Sequence, residues 1–168
     1  MFSLPDDMKD RVTDYTPAYF AEKGIKTLFL DVDNTLVPYD EATAPELIRS
    51  WMTAISESGV RVFLISNNHP PRVETFAEGL PCGYMADAGK PLTRKLRAFA
   101  EEQGIDLRTA AAVGDQIFTD VWAAHLLGIP CFVVPSIKPV NTPFFRFKRA
   151  LERPFFALYR RKSSHKLT

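Results

Sequence analysis

Two carboxylates at the end of an apolar run are the residues of this chain best placed to do chemistry. Asp31 and Asp33 are spaced i, i+2 and directly follow the run 27–30. Side chains two residues apart leave a strand on the same side, so these two can converge on one small site. Adjacent carboxylates repel each other unless a cation lies between them or one of them holds a proton. The pair alone is also typical of a strand that ends in an Asx-turn, so its meaning depends on the rest of the chain.

Three further polar groups follow later apolar runs. They are Ser66 with Asn67, then Lys90, then Asp115 with Asp120. Each has an ordinary structural explanation when taken alone: a turn, a surface cation and a helix cap. All of them in this order, each after its own predicted strand, are hard to obtain from turn chemistry. Carboxylates that can hold a cation and cations that can hold phosphoryl oxygens together favour phosphate chemistry.

The elements that must position these groups alternate along the chain. Apolar runs predict five strands, separated by stretches with helical periodicity: 27–30, 60–65, 84–86, 110–113 and 131–134. Strict alternation predicts an α/β fold, a Rossmann-like parallel sheet with helices on both faces. Ligands of such sheets bind at the carboxyl ends of the strands, where the four polar groups stand.

Local signals predict several helix boundaries. A lead-in helix should run from Thr16 to Gly24, with proline at its first position. Thr43 and Glu46 have the spacing of a capping box at the start of the next helix. Leu92 falls in register with the apolar face of the helix that follows Lys90.

Composition excludes several classes of protein. A chain of 168 residues is most simply a single domain. Its apolar content of 46% and charged content of 24% are those of an ordinary globular protein, and its net charge of +1 does not point to nucleic acid. Cys82 and Cys131 lack metal-ligand spacing. With neither a signal peptide nor a membrane-length apolar run, we expect a cytoplasmic protein that does not cross a bilayer.

The four groups resemble the ordered motifs of haloacid dehalogenase-superfamily phosphatases. Their sequences are Asp31-x-Asp33-Asn34-Thr35-Leu36, Ser66-Asn67, Lys90-Pro91 and Gly114-Asp115-x-x-x-x-Asp120. Within that superfamily the chain resembles the YqeG-type branch of subfamily IIIA, which is linked to phosphatidylglycerophosphate phosphatases. The resemblance implies a sheet of strand order 5-4-1-2-3.

The resemblance also implies a role for each group. Asp31 is expected to attack phosphorus, and Asp33 to protonate the leaving group and then activate water. Asp31, the main-chain carbonyl of Asp33 and Asp115 are expected to hold Mg²⁺, with Asp120 orienting these ligands. The phosphate-binding residues are expected to be Ser66, Asn67 and Lys90.

The gaps between the motifs bear on the substrate. The 33 residues from Asp33 to Ser66 and the 24 from Ser66 to Lys90 are filled by the predicted elements, which leaves no room for a cap domain. An uncapped site suits a large or membrane-held phosphate. One departure from relatives is Ala123-Ala124-His125-Leu126, where they often carry Gly-Gly-Asn-Arg. His125 is either a helix-surface residue or a replacement for that arginine.

The end of the chain is basic and aromatic. Residues 143–162 contain seven Arg or Lys and one Glu, with apolar residues at helical spacing and Pro154 expected to kink or split the helix. This segment could dock on the sheet domain, lie on an anionic membrane or, with least support, bind nucleic acid. We therefore divide the chain into a phosphatase domain, 1–140, which includes the lead-in helix, and a basic aromatic helical tail, 141–168.

Together these observations predict a Mg²⁺-dependent phosphomonoester hydrolase. The expected substrate is phosphatidylglycerophosphate, with peripheral contact at the inner membrane face through the tail and no nucleic-acid partner. The alternatives are a phosphatase of soluble esters (a nucleotide, sugar phosphate or phosphoprotein), a phosphotransferase, or a non-catalytic binding protein that keeps the fold.

Overall fold

One parallel sheet organises the chain in the computed structural model, which describes residues 4–138 and 142–164. Its strands are β1 (Asp7–Met8), β2 (Thr27–Leu30), β3 (Arg61–Ile65), β4 (Gly83–Met85), β5 (Ala110–Gly114) and β6 (Cys131–Val133). All pairings are parallel, and the strand order is β1-β6-β5-β2-β3-β4. The predicted α/β, Rossmann-like class and the order of the five predicted strands are both confirmed. The edge strand β1 was missed because two residues are too short to show a periodicity.

Helices connect the strands and cover both faces of the sheet. They are α1 (Pro17–Glu22), α2 (Glu46–Glu57), α3 (Pro70–Ala77), α4 (Arg94–Glu102), α5 (Trp122–Leu127) and α6 (Pro143–Ser164). A π-helical turn, Ile117–Val121, leads directly into α5. Short 3-10 turns lie at Val12–Asp14 and Leu107–Thr109.

The central strand β2 shows how the sheet separates two apolar layers. Leu28 and Leu30 pack in one layer with residues of α1, α2 and α3, whereas Phe29 packs in the other with residues of α4 and α5. All four residues of β2 are buried. Helices therefore lie on both faces, and the connections after β2 and β3 contain α2 and α3 without a further domain between the motifs.

Two local predictions were wrong for identifiable reasons. The N-cap of α2 is Pro45, with no side-chain cap, so Thr43 and Glu46 do not form a capping box there. Because a residue that precedes proline avoids the helical region, Ala44 cannot begin the helix and the start moves past Pro45. Leu92 lies ahead of α4 and is 74% exposed rather than packed on the helix face. The lead-in helix is confirmed, with the Thr16 side chain accepting a hydrogen bond from Tyr19 N.

The C-terminal segment forms one helix, α6, that continues through Pro154. The predicted split of this helix was wrong. One side of α6 docks on the domain: Phe155 packs edge-on against Phe118, and Tyr159 donates to Asp7 at 3.3 Å. Another side leaves Leu151 and Leu158 exposed. None of the described helices is long and apolar enough to span a membrane.

Candidate active site

The carboxyl edge of the sheet brings the predicted site residues together. Asp31 follows β2, and its backbone N–H donates to Val113 O in β5 at 2.9 Å. Ser66 directly follows β3, and Asp115 directly follows β5. Since β3 and β5 both pair with β2, the ends of these strands lie on either side of Asp31.

Three carboxylates form the centre of this edge. One oxygen from each of Asp31, Asp115 and Asp120 lies within 4.8 Å of the others. Asp115 and Asp120 are buried, and the side chain of Asp31 is 12% exposed. The Thr35 hydroxyl donates to Asp31 at 2.9 Å and lies 3.5 Å from Asp115, so it helps to fix their spacing. Oxygen ligands at this separation fit a hard divalent cation.

Lys90 balances part of the charge of this cluster. Its Nζ lies 2.8 Å from Asp31 and 2.7 Å from Asp120, and its side chain is 7% exposed. Burial alone would lower the pKa of Lys90, but the charges of Asp120 and Asp31 raise it above its usual value. One ammonium beside three carboxylates leaves two negative charges uncompensated if all three are ionised. A bound cation would supply the missing charge.

The negative charge of Asp31 is costly in this arrangement. Burial raises its pKa to about 7; the charge of Lys90 opposes the increase, and the charges of Asp120 and Asp115 add to it. A carboxylate that is costly to ionise in the metal-free protein is a functional-site signal.

A glycine permits the close approach of Asp120. A Cβ atom placed on Gly114 would lie 2.3 Å from Cγ of Asp120, far inside contact distance. The side chain of Asp120 therefore folds back over the backbone of β5, where its second oxygen accepts a hydrogen bond from Gln116 N at 3.1 Å. This contact gives a physical reason for glycine immediately before Asp115.

Asp33 lies apart from the carboxylate cluster. One of its oxygens is 3.0 Å from Nη2 of Arg72, and the other accepts from Asn68 Nδ2 at 3.3 Å. The neighbouring Asn34 has a φ of 66°, so the chain turns directly after Asp33. The Asp33 carboxylate is therefore held by α3 and the loop before it, while Asp31 faces the lysine.

Ser66 and Asn67 occupy different positions. Ser66 is buried, and its hydroxyl accepts from Asn68 N at 3.0 Å. The Asn67 side chain donates to Lys90 O at 2.9 Å and accepts from Lys90 N at 2.7 Å. Both polar ends of that amide are thus used on the Lys90 backbone, so Asn67 positions Lys90 within the site.

Sequence reasoning missed Arg72, Asn68 and Glu152 because their roles depend on tertiary contacts. Arg72 did leave a signal: it stands in the first turn of α3, where a cation opposes the helix dipole. His125, in contrast, bonds Asp6 at 2.8 Å and touches none of the site residues in the described contacts. The structure thus favours a structural reading of His125 over a replacement for the missing arginine.

Glu152 links α6 to the turn that carries the last motif. It is fully buried, and its Oε1 accepts from Ile117 N at 2.9 Å and from Phe118 N at 3.4 Å. These amides lie between Asp115 and Asp120. The carboxylate therefore caps the start of the π-helical turn, where anionic groups are favourable.

We expect Glu152→Ala to lower the stability of the domain. The substitution leaves the buried Ile117 N–H and the part-buried Phe118 N–H without their acceptor, which costs about 2 kcal/mol or roughly 4–8 °C in melting temperature. Glu152→Gln, which keeps one side-chain acceptor, should recover part of the loss. Thermal denaturation measures both, with the exposed Glu101→Ala on α4 as the matched control. If Glu152→Ala and Glu101→Ala have the same melting temperature, the Glu152 carboxylate does not stabilise the turn.

Comparisons with known proteins identify the family of the chain. Residues 42–128 match the family model of haloacid dehalogenase-like hydrolases, which is just over half of the chain. The chain is 29% identical over 161 residues to the probable phosphatase YqeG of Bacillus subtilis (strain 168), covering 96% of this chain and 94% of that protein.

Similar solved structures support the fold of the chain but say nothing of its function. A Listeria monocytogenes serotype 4b protein described as uncharacterized has a TM-score of 0.56 at 13% identity, covering 71% of this chain and 85% of that one. A hypothetical protein of Xanthomonas campestris has a TM-score of 0.55 at 20% identity, covering 77% and 76% respectively. The resemblance drawn from the four motifs is confirmed, and the chain belongs to the haloacid dehalogenase-like hydrolase family.

Proposed function

We propose that this chain is a Mg²⁺-dependent phosphomonoester hydrolase that acts through an aspartyl-phosphate on Asp31. The observation that carries the proposal is the placement of Asp31, which stands at the carboxyl edge between a buried lysine and two further carboxylates. Family membership and a relative named a probable phosphatase support the reaction class. We further propose that the substrate is a phosphate displayed at a membrane surface, with phosphatidylglycerophosphate as the leading candidate.

The proposed mechanism divides the work between the two aspartates. Asp31 attacks phosphorus, and the bond from phosphorus to the leaving oxygen breaks while Asp33 donates a proton to that oxygen. Asp33 then removes a proton from water, which attacks the aspartyl-phosphate and releases phosphate and Asp31. Lys90 and Ser66 bind the phosphoryl oxygens, whose negative charge would otherwise repel the nucleophile.

The residues that would hold Mg²⁺ are Asp31, Asp115 and the main-chain carbonyl of Asp33, with Asp120 orienting them. When bound, the cation neutralises charge on the phosphoryl group and on its carboxylate ligands. The three clustered carboxylates fit this role because oxygen ligands are those that Mg²⁺ prefers.

We expect Mg²⁺ to stabilise the protein more as the pH rises from about 6 to about 8. The raised pKa of Asp31, about 7, means that the metal-free folded state holds a proton that the unfolded state loses near 3.8. The stability from this group is therefore fully present below 3.8 and is lost as the pH rises through about 7. Below pH 7 the cation must also displace that proton. The increase in melting temperature on adding Mg²⁺ measures the effect, and an equal increase at both pH values would contradict the coupling.

Exposed apolar side chains around the site support a membrane-held substrate. Tyr39, Leu92 and Ile137, here called the apolar rim, are 57%, 74% and 49% exposed. Tyr39 lies in the loop after Asp33, and Leu92 is two residues beyond Lys90. Ile137 donates its N–H to Asn34 O at 3.1 Å. The rim residues therefore lie on segments that adjoin the site motifs, and we propose that these segments contact lipid.

The tail contributes a second exposed surface. Phe147 and Leu151 are exposed and lie within five residues of Glu152, about 8 Å along the helix axis, so they are near the last-motif turn. Arg146 and Arg153 are exposed beside them. Each cation near an anionic leaflet adds about 1 kcal/mol of attraction. We propose that 1–140 form the phosphatase domain, and that the 141–168 tail docks on it while presenting this face to lipid.

Point substitutions test this proposal without removing Glu152. Ile137→Ser with Phe147→Ser should weaken binding to phosphatidylglycerol-containing vesicles and lower activity on lipid phosphate more than on a small soluble ester. Leu126→Ser is the matched control, since Leu126 is also exposed but lies in the last turn of α5, the end of that helix farther from Asp115. Binding should fall as salt rises, because the attraction is screened within about 8 Å at physiological ionic strength.

A soluble phosphate ester is the alternative substrate. It is favoured by the docking of Phe155 and Phe156 on the domain, which removes two aromatic side chains from any membrane-facing surface. Phosphate release from a panel of lipid and soluble esters decides between them. If wild-type protein ignores anionic vesicles and hydrolyses only soluble esters, the membrane proposal is wrong while the phosphatase reaction stands.

A further inference from the structure

Arg72 is a cation at the site that the proposed mechanism does not use. It stands in the first turn of α3, and its Nη2 lies 3.0 Å from Asp33 Oδ1. The two side chains are 18% and 17% exposed, so the pair lies at the mouth of the site rather than on the open surface. The first turn of a helix is an unfavourable place for a cation, so local structure does not explain an arginine there.

The guanidinium is only partly satisfied. Nε and Nη1 are buried and have no hydrogen-bond partner in the described part of the chain. Their surroundings include the ring of Phe76, whose centroid is 5.8 Å from the guanidinium carbon. A buried donor without a partner is costly, so an arginine placed only to stabilise the fold would be expected to use these groups. Turning the guanidinium toward a ligand would sacrifice no hydrogen bond on either nitrogen.

The two cations of the site, Lys90 and Arg72, bind different carboxylates. Lys90 binds Asp31 and Asp120, and so stands on the side of the nucleophile and the transferred phosphoryl group. Arg72 binds Asp33, which in the proposed mechanism faces the leaving oxygen. Arg72 therefore stands on the leaving-group side. A planar guanidinium with several donors suits a phosphate or carboxylate, which it can hold by two parallel hydrogen bonds.

We infer that Arg72 binds a second anionic group carried by the leaving group of the substrate, such as a phosphodiester. The inference rests on the proposed function for the role of Asp33. When the substrate binds, its second anion takes the place of Asp33 on the guanidinium. Asn68, 3.3 Å from the other oxygen of Asp33, keeps that carboxylate near the leaving oxygen. Arg72 would thus select substrates that carry two anionic centres over simple phosphate monoesters.

A substrate series in solution tests the inference apart from membrane binding. The probes are glycerol 3-phosphate, whose leaving group is neutral, 3-phosphoglycerate, whose leaving group carries a carboxylate, and glycerophosphoglycerol phosphate, whose leaving group carries a phosphodiester. We expect the wild-type kcat/KM for the phosphodiester-bearing ester to exceed that for glycerol 3-phosphate by about tenfold or more, the scale of one charge-assisted contact. In Arg72→Met this ratio should fall toward one, chiefly through KM, whatever happens to the absolute rates.

Two further variants and a binding measurement complete the test. Arg72→Lys keeps the charge but not the planar guanidinium that forms two parallel hydrogen bonds, so it should recover part of the ratio. Arg97→Met on α4 is the control and should keep the wild-type ratio. Glycerophosphoglycerol, the product that retains the phosphodiester, should raise the melting temperature of the wild type more than that of Arg72→Met. This measurement needs no turnover and also shows that the variant is folded.

The outcomes separate the inference from the proposed function. If the wild type hydrolyses all three esters with similar kcat/KM, or if Arg72→Met keeps the preference, the inference is overturned and the phosphatase reaction stands. If no ester releases phosphate in the presence of Mg²⁺, the proposed function fails. In that case equal stabilisation of wild type and Arg72→Met by glycerophosphoglycerol would overturn the anion site as well.

Discussion

Asp31→Asn should release phosphate roughly 10⁴-fold more slowly than the wild type or not at all, the scale expected when a nucleophile is removed. An amide oxygen is too weak a nucleophile to form the acyl phosphate, and it offers the cation no negative charge. The substitution is close to isosteric: its single amide oxygen can still accept from Lys90, and the Thr35 hydroxyl, which donates to the other Asp31 oxygen, can accept from the amide N–H instead. Activity should therefore be lost with the fold intact.

The same variant has a second, opposite effect on stability. Burial and the neighbouring carboxylates make the charge of Asp31 costly, as its raised pKa indicates. A neutral side chain removes that cost, so metal-free Asp31→Asn should melt at or above the wild-type temperature, and Mg²⁺ should raise the melting temperature less. Phosphate release and thermal denaturation measure the two effects. Asp106→Asn, at an exposed aspartate paired with Arg108, is the control. Retained hydrolysis in Asp31→Asn would exclude this residue as the nucleophile.

The arrangement of this edge could be predicted because it follows from chain connectivity. Buried parallel strands appear as apolar runs, and polar residues that directly follow such runs must meet at one edge of the sheet. Asp31, Ser66 and Asp115 meet there for that reason. The prediction needed no knowledge of side-chain packing, only the direction of each strand.

The contacts that fix side-chain direction could not be predicted in this way. The separation of Asp33 from the carboxylate cluster depends on Arg72, which lies 39 positions further along the chain. The turn before Asp120 is capped by Glu152, which is 35 positions from Ile117. Neither partner is marked by a spacing, because hydrogen bonds between distant elements leave no periodicity. In the tail, the helical spacing predicted the helix but not which side would dock.

The tail also shows why alternatives that exclude each other in a sequence can coexist in a structure. Docking and membrane contact were competing interpretations of the same periodic residues. In the structure Glu152 and Phe155 face the domain while Phe147 and Leu151 remain exposed, so different sides of α6 are open to different roles. Removing the whole helix would destroy the cap on the last-motif turn together with the exposed face. Single substitutions on the exposed side are therefore the cleaner experiment.

Asp33→Asn should separate the two halves of the reaction. The Asp33 carboxylate is not one of the three clustered carboxylates, so the substitution leaves the candidate metal ligands in place. An amide cannot donate the proton that an alkoxide leaving group needs, and hydrolysis of an alkyl phosphate should fall by about 10²–10⁴-fold. A nitrophenolate leaving group needs no proton, so formation of the phosphoenzyme from p-nitrophenyl phosphate should be much less impaired.

The second half-reaction should then become visible. Water must lose a proton to attack the aspartyl-phosphate, and Asp33→Asn lacks the base that takes it, so the phosphoenzyme should accumulate. Rapid mixing with p-nitrophenyl phosphate should give a burst of nitrophenol equal to the enzyme concentration. Intact-mass measurement should show one added phosphoryl group, which Asp31→Asn cannot acquire.

Arg72→Lys should give no burst, because it leaves the Asp33 carboxylate in the protein and keeps a cation beside it. If Asp33→Asn loses the same factor with both leaving groups and shows no burst, Asp33 is not the acid and base of this site, and its carboxylate serves to hold Arg72 in place.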